Sequence, residues 1–252
     1  MLLHAYTSHA RSWDTAARAL ANRFRVLAVD LRGHGESAWA ADYHEQRLLD
    51  DLTAFVEALG LGTFSAVGFS IGSSVAGSYA ALCPDRVKQL VVAECFALET
   101  DPQAAAHIHA LRSLPAEYQG AAAVVAAQAA AAYRPLAPYA PDDELRRWML
   151  DGLKHEPDGR WTWRYDPIFR VPGPPGRLNP TAAEFAQRLA DVACPMLVVV
   201  GAESFHAEGA EQIAAANSRA RLVKLPRAGH WAPLDNPRGF LEVVGRFLTE
   251  EA

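Results

Sequence analysis

The sequence predicts an α/β fold, a mostly parallel sheet flanked by helices. Short β-branched and leucine-rich runs alternate with amphipathic stretches, the rhythm of strands crossed over by helices. Several of those runs are apolar without a break, as strands buried on both faces are. Half of the 252 residues are apolar and 21% charged, enough to bury a sizeable core. Taken in order, strands are expected at 1–4, 25–30, 64–69, 89–93, 196–201 and 221–225; Val26-Leu27-Ala28-Val29 and Leu197-Val198-Val199-Val200 are the doubly buried kind. Helices are expected at 12–23, 45–59, 72–83, 182–189, 208–216 and 237–249, with Gly60 and Pro84 as stops.

The interval from 94 to 195 breaks the rhythm. It reads as an insertion with helices at 102–114, 116–133 and 141–153 and no strand comparable to the others, followed by an aromatic, Pro/Gly-rich irregular stretch at 161–180. The expected organisation is a core of residues 1–96 and 181–252 interrupted by an insertion of 97–180.

Charge and composition exclude several classes. A net charge of -5 gives no basic surface for nucleic acid. The most apolar long stretch, 121–133, is alanine-dominated, interrupted by Gln128 and too short to span a bilayer, so no membrane association is expected. Cys83, Cys95 and Cys194 are too scattered for a disulfide framework or a metal knuckle. With no signal-peptide pattern at Met1-Leu2-Leu3-His4, they read as reduced thiols of a cytoplasmic protein.

The chemistry concentrates in Gly68-Phe69-Ser70-Ile71-Gly72, a G-x-S-x-G between an expected strand and an expected helix. An abrupt strand-to-helix turn leaves no room for side chains beside the serine, lifts its Oγ into the open, and aims the first helix amides at any oxyanion formed there. Serine needs a base, and Ala228-Gly229-His230-Trp231 after the last strand supplies His230.

With these motifs, and with Leu2-Leu3-His4-Ala5-Tyr6 and Asp30-Leu31-Arg32-Gly33-His34-Gly35-Glu36-Ser37, the whole chain resembles the α/β-hydrolase family. The resemblance implies a Ser70 nucleophile, a His230 base and an oxyanion hole from the amides of Ile71 and Tyr6. It makes 97–180 a helical cap, where Trp148, Trp161, Trp163, Tyr165 and Phe169 are candidates for an apolar substrate pocket.

The sequence departs from the family in three ways. Ala5 stands where glycine is common, and alanine tolerates a positive φ less well. The loop after the penultimate strand, Gly201-Ala202-Glu203-Ser204-Phe205-His206, lacks the usual aspartate. The acid is open between Glu203 and Glu94, with a dyad or another carboxylate as the remaining alternative; Glu94 is favoured because it interrupts the apolar run Leu90-Val91-Val92-Ala93-Glu94-Cys95 at a strand end, where a carboxylate needs a partner. Some branches of the family resemble this in taking their acid from that strand end. Lastly, the family has two further strands ahead of the one at 1–4; either the protein lacks them, leaving 25–30 as a sheet edge that favours a homodimer, or the start of the sequence is truncated.

His34 is expected to shape its turn, and His107 and His109, two apart on a helix, to point to different sides in solvent. No H-E-x-x-H, paired C-x-x-C or phosphate-loop string occurs, so neither metal nor cofactor is expected. The expected function is a serine hydrolase of a small hydrophobic ester or lactone, acting through an acyl-enzyme. The alternatives are carbon–carbon bond hydrolysis of diketones and a catalytically weak binding protein on the same fold.

Overall fold

The run 196–201 forms a strand buried along its whole length, and alternate residues of it and its neighbours pack on opposite faces of one sheet. In the computed structural model, which describes residues 1–95, 102–171 and 178–250, the elements are β1 (Leu2–Leu3), α1 (Asp14–Leu20), β2 (Ala28–Val29), α2 (Glu45–Ala58), β3 (Phe64–Phe69), α3 (Ile71–Leu82), β4 (Val87–Ala93), α4 (Pro102–Ser113), β5 (Glu117–Gln119), α5 (Ala122–Tyr133), α6 (Asp142–Asp151), β6 (Leu153–His155), β7 (Arg160–Trp163), α7 (Ala182–Ala190), β8 (Met196–Gly201), α8 (Ala207–Ala216), β9 (Ala220–Leu225), α9 (Ala232–Asp235) and α10 (Pro237–Thr249).

Six strands form a parallel sheet in the order β2-β1-β3-β4-β8-β9. Val91, Ala93, Leu197 and Val199 face one core, closed by Ala16 and Leu20 of α1 and Phe240, Val244 and Phe247 of α10. Leu90, Val92, Val198 and Val200 face the other, closed by Leu48 and Leu52 of α2, Val75 and Tyr79 of α3 and Phe185 and Leu189 of α7. This period of two is why apolar runs, rather than alternating ones, marked the central strands. β2 is an edge, as expected, but Ala28 is exposed and Val26, Leu27 and Val29 only half-buried, which corrects the reading of this run as buried on both faces; β1 and β2 are each only two residues long.

Among the described residues the insertion holds no strand comparable to the apolar ones of the core, but it does hold short ones. β5, β7 and β6 make a second, antiparallel sheet of three strands. At three or four residues each they are too short for their alternation to register against the helical runs around them. The helix expected from 116 starts instead at Ala122, because Gly120 adopts a φ of 119° and Ala121 is extended. The stretch expected to be irregular holds β7 and a 3-10 turn at Pro167–Arg170, while 172–177 and the core boundary at 96–97 lie outside the described residues. Among the described residues no helix is long and apolar enough to cross a membrane.

Candidate active site

Ser70 follows β3 and precedes α3, with a φ of 54° that few non-glycine residues adopt. It occupies the N-cap position of α3, yet its side chain makes no capping hydrogen bond. The flanking glycines are steric requirements. A Cβ at Gly68 would collide with the backbone of Gly72 and Ser73, and one at Gly72 with the carbonyls of Leu3 and His4. That second contact seats the start of α3 directly on the end of β1, beside the Ala5–Tyr6 segment.

Glu94 repeats the device one strand over. Its φ is also 54°, and the register Phe69↔Ala93 makes Ser70 and Glu94 the first residues past paired strand ends. Ser70 N–H donates to Ala93 O at 2.9 Å and Glu94 N–H to Val199 O at 2.9 Å. Glu94 is 1% exposed. It accepts from Gly201 N–H through Oε1 and from Ser204 Oγ through Oε2 at 2.6 Å.

His230 completes the group. Its Nδ1 lies 3.5 Å from Glu94 Oε2, and its ring sits 5.6 Å from that of Phe69, the residue before Ser70. Gly201 makes this approach possible, since a Cβ there would strike the carbonyls of Ala228 and Gly229 in the His230 loop. Asp235, buried, fixes the same loop by accepting Gly229 N–H at 2.9 Å. Burial pushes the Glu94 carboxyl well above the usual carboxylate range against the pull of its Ser204 and Gly201 hydrogen bonds. Burial also lowers His230 to about 3, so the resting imidazole is neutral at ordinary pH and able to accept a proton.

The Ala5 substitution is tolerated because the loop places its positive φ elsewhere. Thr7 carries it, at 56°. His4 Nδ1 donates to Ala5 O at 2.8 Å and its Nε2 accepts Leu31 N–H at 3.0 Å; His34 Nδ1 donates to Arg32 O at 3.0 Å and its Nε2 accepts Thr7 N–H at 3.2 Å. Two buried neutral imidazoles thus brace the loop that carries Tyr6, the structural role expected of His34.

The α/β-hydrolase fold family pattern matches residues 1–237. The chain belongs to that family. This hydrolase is 28% identical over 260 residues to the sn-1-specific diacylglycerol lipase of Mus musculus, covering 99% of this chain and 80% of that one. It is 29% identical over 262 residues to an esterase of Mycobacterium tuberculosis, covering 97% and 80%. A crystal structure of the mycobacterial esterase superposes with a TM-score of 0.75 at 27% identity, covering 99% of this chain and 83% of that one. E-2-(acetamidomethylene)succinate hydrolase superposes at 0.83 with 23% identity, over 99% and 90%, a likeness of fold alone. At the level of the family, the hydrolase is an ester-cleaving serine hydrolase.

The other expected site residues separate. Glu203 is exposed and its carboxylate is bonded to the Tyr139 hydroxyl; among the described residues it has no hydrogen bond or ion pair to His230. Phe169 stacks on His34 at 4.7 Å and lies 5.4 Å from the Tyr6 ring, whose hydroxyl donates to Phe169 O. Trp148 meets Trp231 edge-on at 5.1 Å, behind His230. Trp163 and Tyr165 stack on each other at 5.7 Å, while Trp161 packs on His155 at 4.6 Å and donates to Gly120 O, within the small sheet rather than at the site.

His107 is a correction. It is not solvated: its ring stands 4.8 Å from that of His230 and 5.2 Å from Phe205, while His109 is exposed as expected. Helical spacing shows that the two histidines diverge, but not which side meets the sheet. His206, Ser204 and Asp235 also escaped the sequence reading. The signal for Ser204 was available, since it stands in the loop where the family's aspartate was missing.

Proposed function

We propose that this hydrolase cleaves an ester or lactone of a small hydrophobic molecule through an acyl-enzyme at Ser70, with His230 as base and Glu94 as the acid that orients it. The observation that carries the reading is Glu94 on the strand end next to Ser70, with its Oε2 3.5 Å from His230 Nδ1. With Nδ1–H turned to Glu94, Nε2 keeps its lone pair for Ser70. His230 takes the Ser70 hydroxyl proton as Oγ attacks the substrate carbonyl, and the amides of Ile71 and Tyr6 receive the oxyanion. The imidazolium returns its proton to the departing alcohol, leaving acyl-Ser70. Water, deprotonated by the same imidazole, then releases the acid. The cation that burial disfavours at rest forms only during these steps, beside Glu94.

Residues 97–180 act as the cap in this reading, with Phe169, Trp148, Trp163 and Tyr165 supplying apolar walls, and a hydrophobic acyl group suits them better than a charged one. In this reading a second copy pairs at β2, an edge strand of the described sheet, and the free thiols of Cys83, Cys95 and Cys194 suit the cytoplasm.

Labelling with an active-site fluorophosphonate tests the assignment. Folded protein is expected to be labelled at Ser70, and Ser70→Ala protein not at all. Wild type left unlabelled would return the fold to a receptor role. A panel of ester chain lengths with a macrocyclic lactone then sets the substrate class.

A further inference from the structure

Glu94, His206 and His230 each offer one ligand atom, and the three atoms lie within 4.8 Å of one another. They come from three loops at the same end of the sheet: the β4 end, the turn before α8 and the loop after β9. All three are buried. Donors around a tetrahedral zinc sit roughly 3.3 Å apart, so closure needs shifts of about 1 Å in two rings and a carboxylate. The surroundings favour that closure. The rings of His206 and His230 lie 4.8 Å apart, and Ser204 Oγ both donates to Glu94 Oε2 at 2.6 Å and accepts the backbone N–H of His206 at 3.1 Å, linking the Glu94 carboxylate to the backbone that carries the His206 ring.

We propose that Glu94, His206 and His230 form a site for a borderline divalent cation of the zinc and copper class, and that its binding switches the hydrolase off. Two imidazoles and one carboxylate suit such ions; magnesium and calcium prefer all-oxygen sets. Three protein donors leave a coordination position open, as in reversible rather than closed structural sites. The switch follows from tautomer chemistry. A cation on His230 Nδ1 takes that nitrogen's lone pair, so the one ring proton must sit on Nε2, where it can donate but not accept. The imidazole then cannot take the Ser70 proton, and Glu94 is committed to the metal. The switching, though not the binding, rests on the role proposed for His230.

The test separates the two. Full-length Ser70→Ala protein is titrated with zinc chloride by calorimetry, in a non-chelating buffer, against magnesium chloride. One equivalent of zinc is expected, with no magnesium binding, and zinc affinity at least tenfold weaker when His206→Phe is added. His206→Leu serves if His206→Phe does not fold. Wild-type ester hydrolysis is expected to stop with zinc and return with EDTA. No stoichiometric zinc binding, or binding unchanged in the His206 variants, overturns the site. Binding that depends on His206, in a protein whose metal-free wild type hydrolyses no ester, keeps the site and overturns the switch together with the serine-hydrolase reading.

Discussion

Ser204 Oγ donates to Glu94 Oε2 at 2.6 Å, the same oxygen that faces His230 Nδ1. A hydroxyl therefore occupies the loop where a carboxylate was sought, and it steadies the carboxylate supplied by the neighbouring strand. Ser204→Ala leaves Glu94 with the Gly201 amide and its approach to His230. Losing one hydrogen bond to a charged group costs roughly 1.5–3 kcal/mol, so kcat is expected to fall about tenfold or more with KM little changed. Steady-state kinetics on an activated ester, with a melting curve to verify folding, checks this; an unchanged kcat would show that Ser204 does not hold the acid.

The two candidate acids are expected to respond very differently. Glu94→Gln keeps the volume but removes the charge that orients and stabilises the imidazolium, and a drop in kcat of about 10³–10⁴ is expected. Glu203→Gln alters an exposed carboxylate bonded to Tyr139 and is expected to stay within about threefold of wild type. Turnover equal in the two variants would remove Glu94 from its assigned role.

How much of this was legible in the sequence follows the range of the interactions involved. The elbow at Ser70 was readable because strand, turn and helix are local, and its glycines are dictated by backbone contacts within five residues and with β1. Glu94 was readable because a carboxylate ending an apolar run demands a partner. The approach of His107 to His230 depends on how α4 lies over the sheet, a tertiary fact with no local signature. The small sheet was invisible for the opposite reason: its strands are local but too short to carry a period. The nearness of His206 to Glu94 crosses two loops and needed the register of β4 on β8.

Gly201 links Glu94 to the His230 loop. Its N–H donates to Glu94, and the face that lacks a Cβ lies against the carbonyls of Ala228 and Gly229. Gly201→Ala must push the His230 loop outward, because backbone on both sides cannot yield as a flexible side chain would. Overpacking of this kind costs typically 1–3 kcal/mol of stability. Activity is expected to suffer far more, by about 10²-fold, since a misplacement of about 1 Å is enough for that loss. Comparing the urea midpoint with kcat/KM on the same preparation checks the imbalance; a loss of stability with turnover intact would place the His230 loop elsewhere.

The imidazoles beneath the Tyr6 loop give the protein an acid limit unrelated to catalysis. Burial lowers His4 and His34 to about 3 each, from an unfolded value near 6.5. Between these values the unfolded chain binds protons that the folded chain refuses, so stability is complete above pH 6.5 and falls as pH drops toward 3. Each histidine contributes a slope of at most about 1.4 kcal/mol per pH unit in that window. His34→Gln, whose amide oxygen can accept Thr7 N–H in place of Nε2, is expected to be less stable at pH 7.5 yet to lose less on acidification. Urea midpoints from pH 7.5 to 5.0 measure both slopes. A variant slope as steep as the wild type's would mean that His34 already carries a proton in the folded protein, and that the loop bearing Tyr6 is held by some other contact.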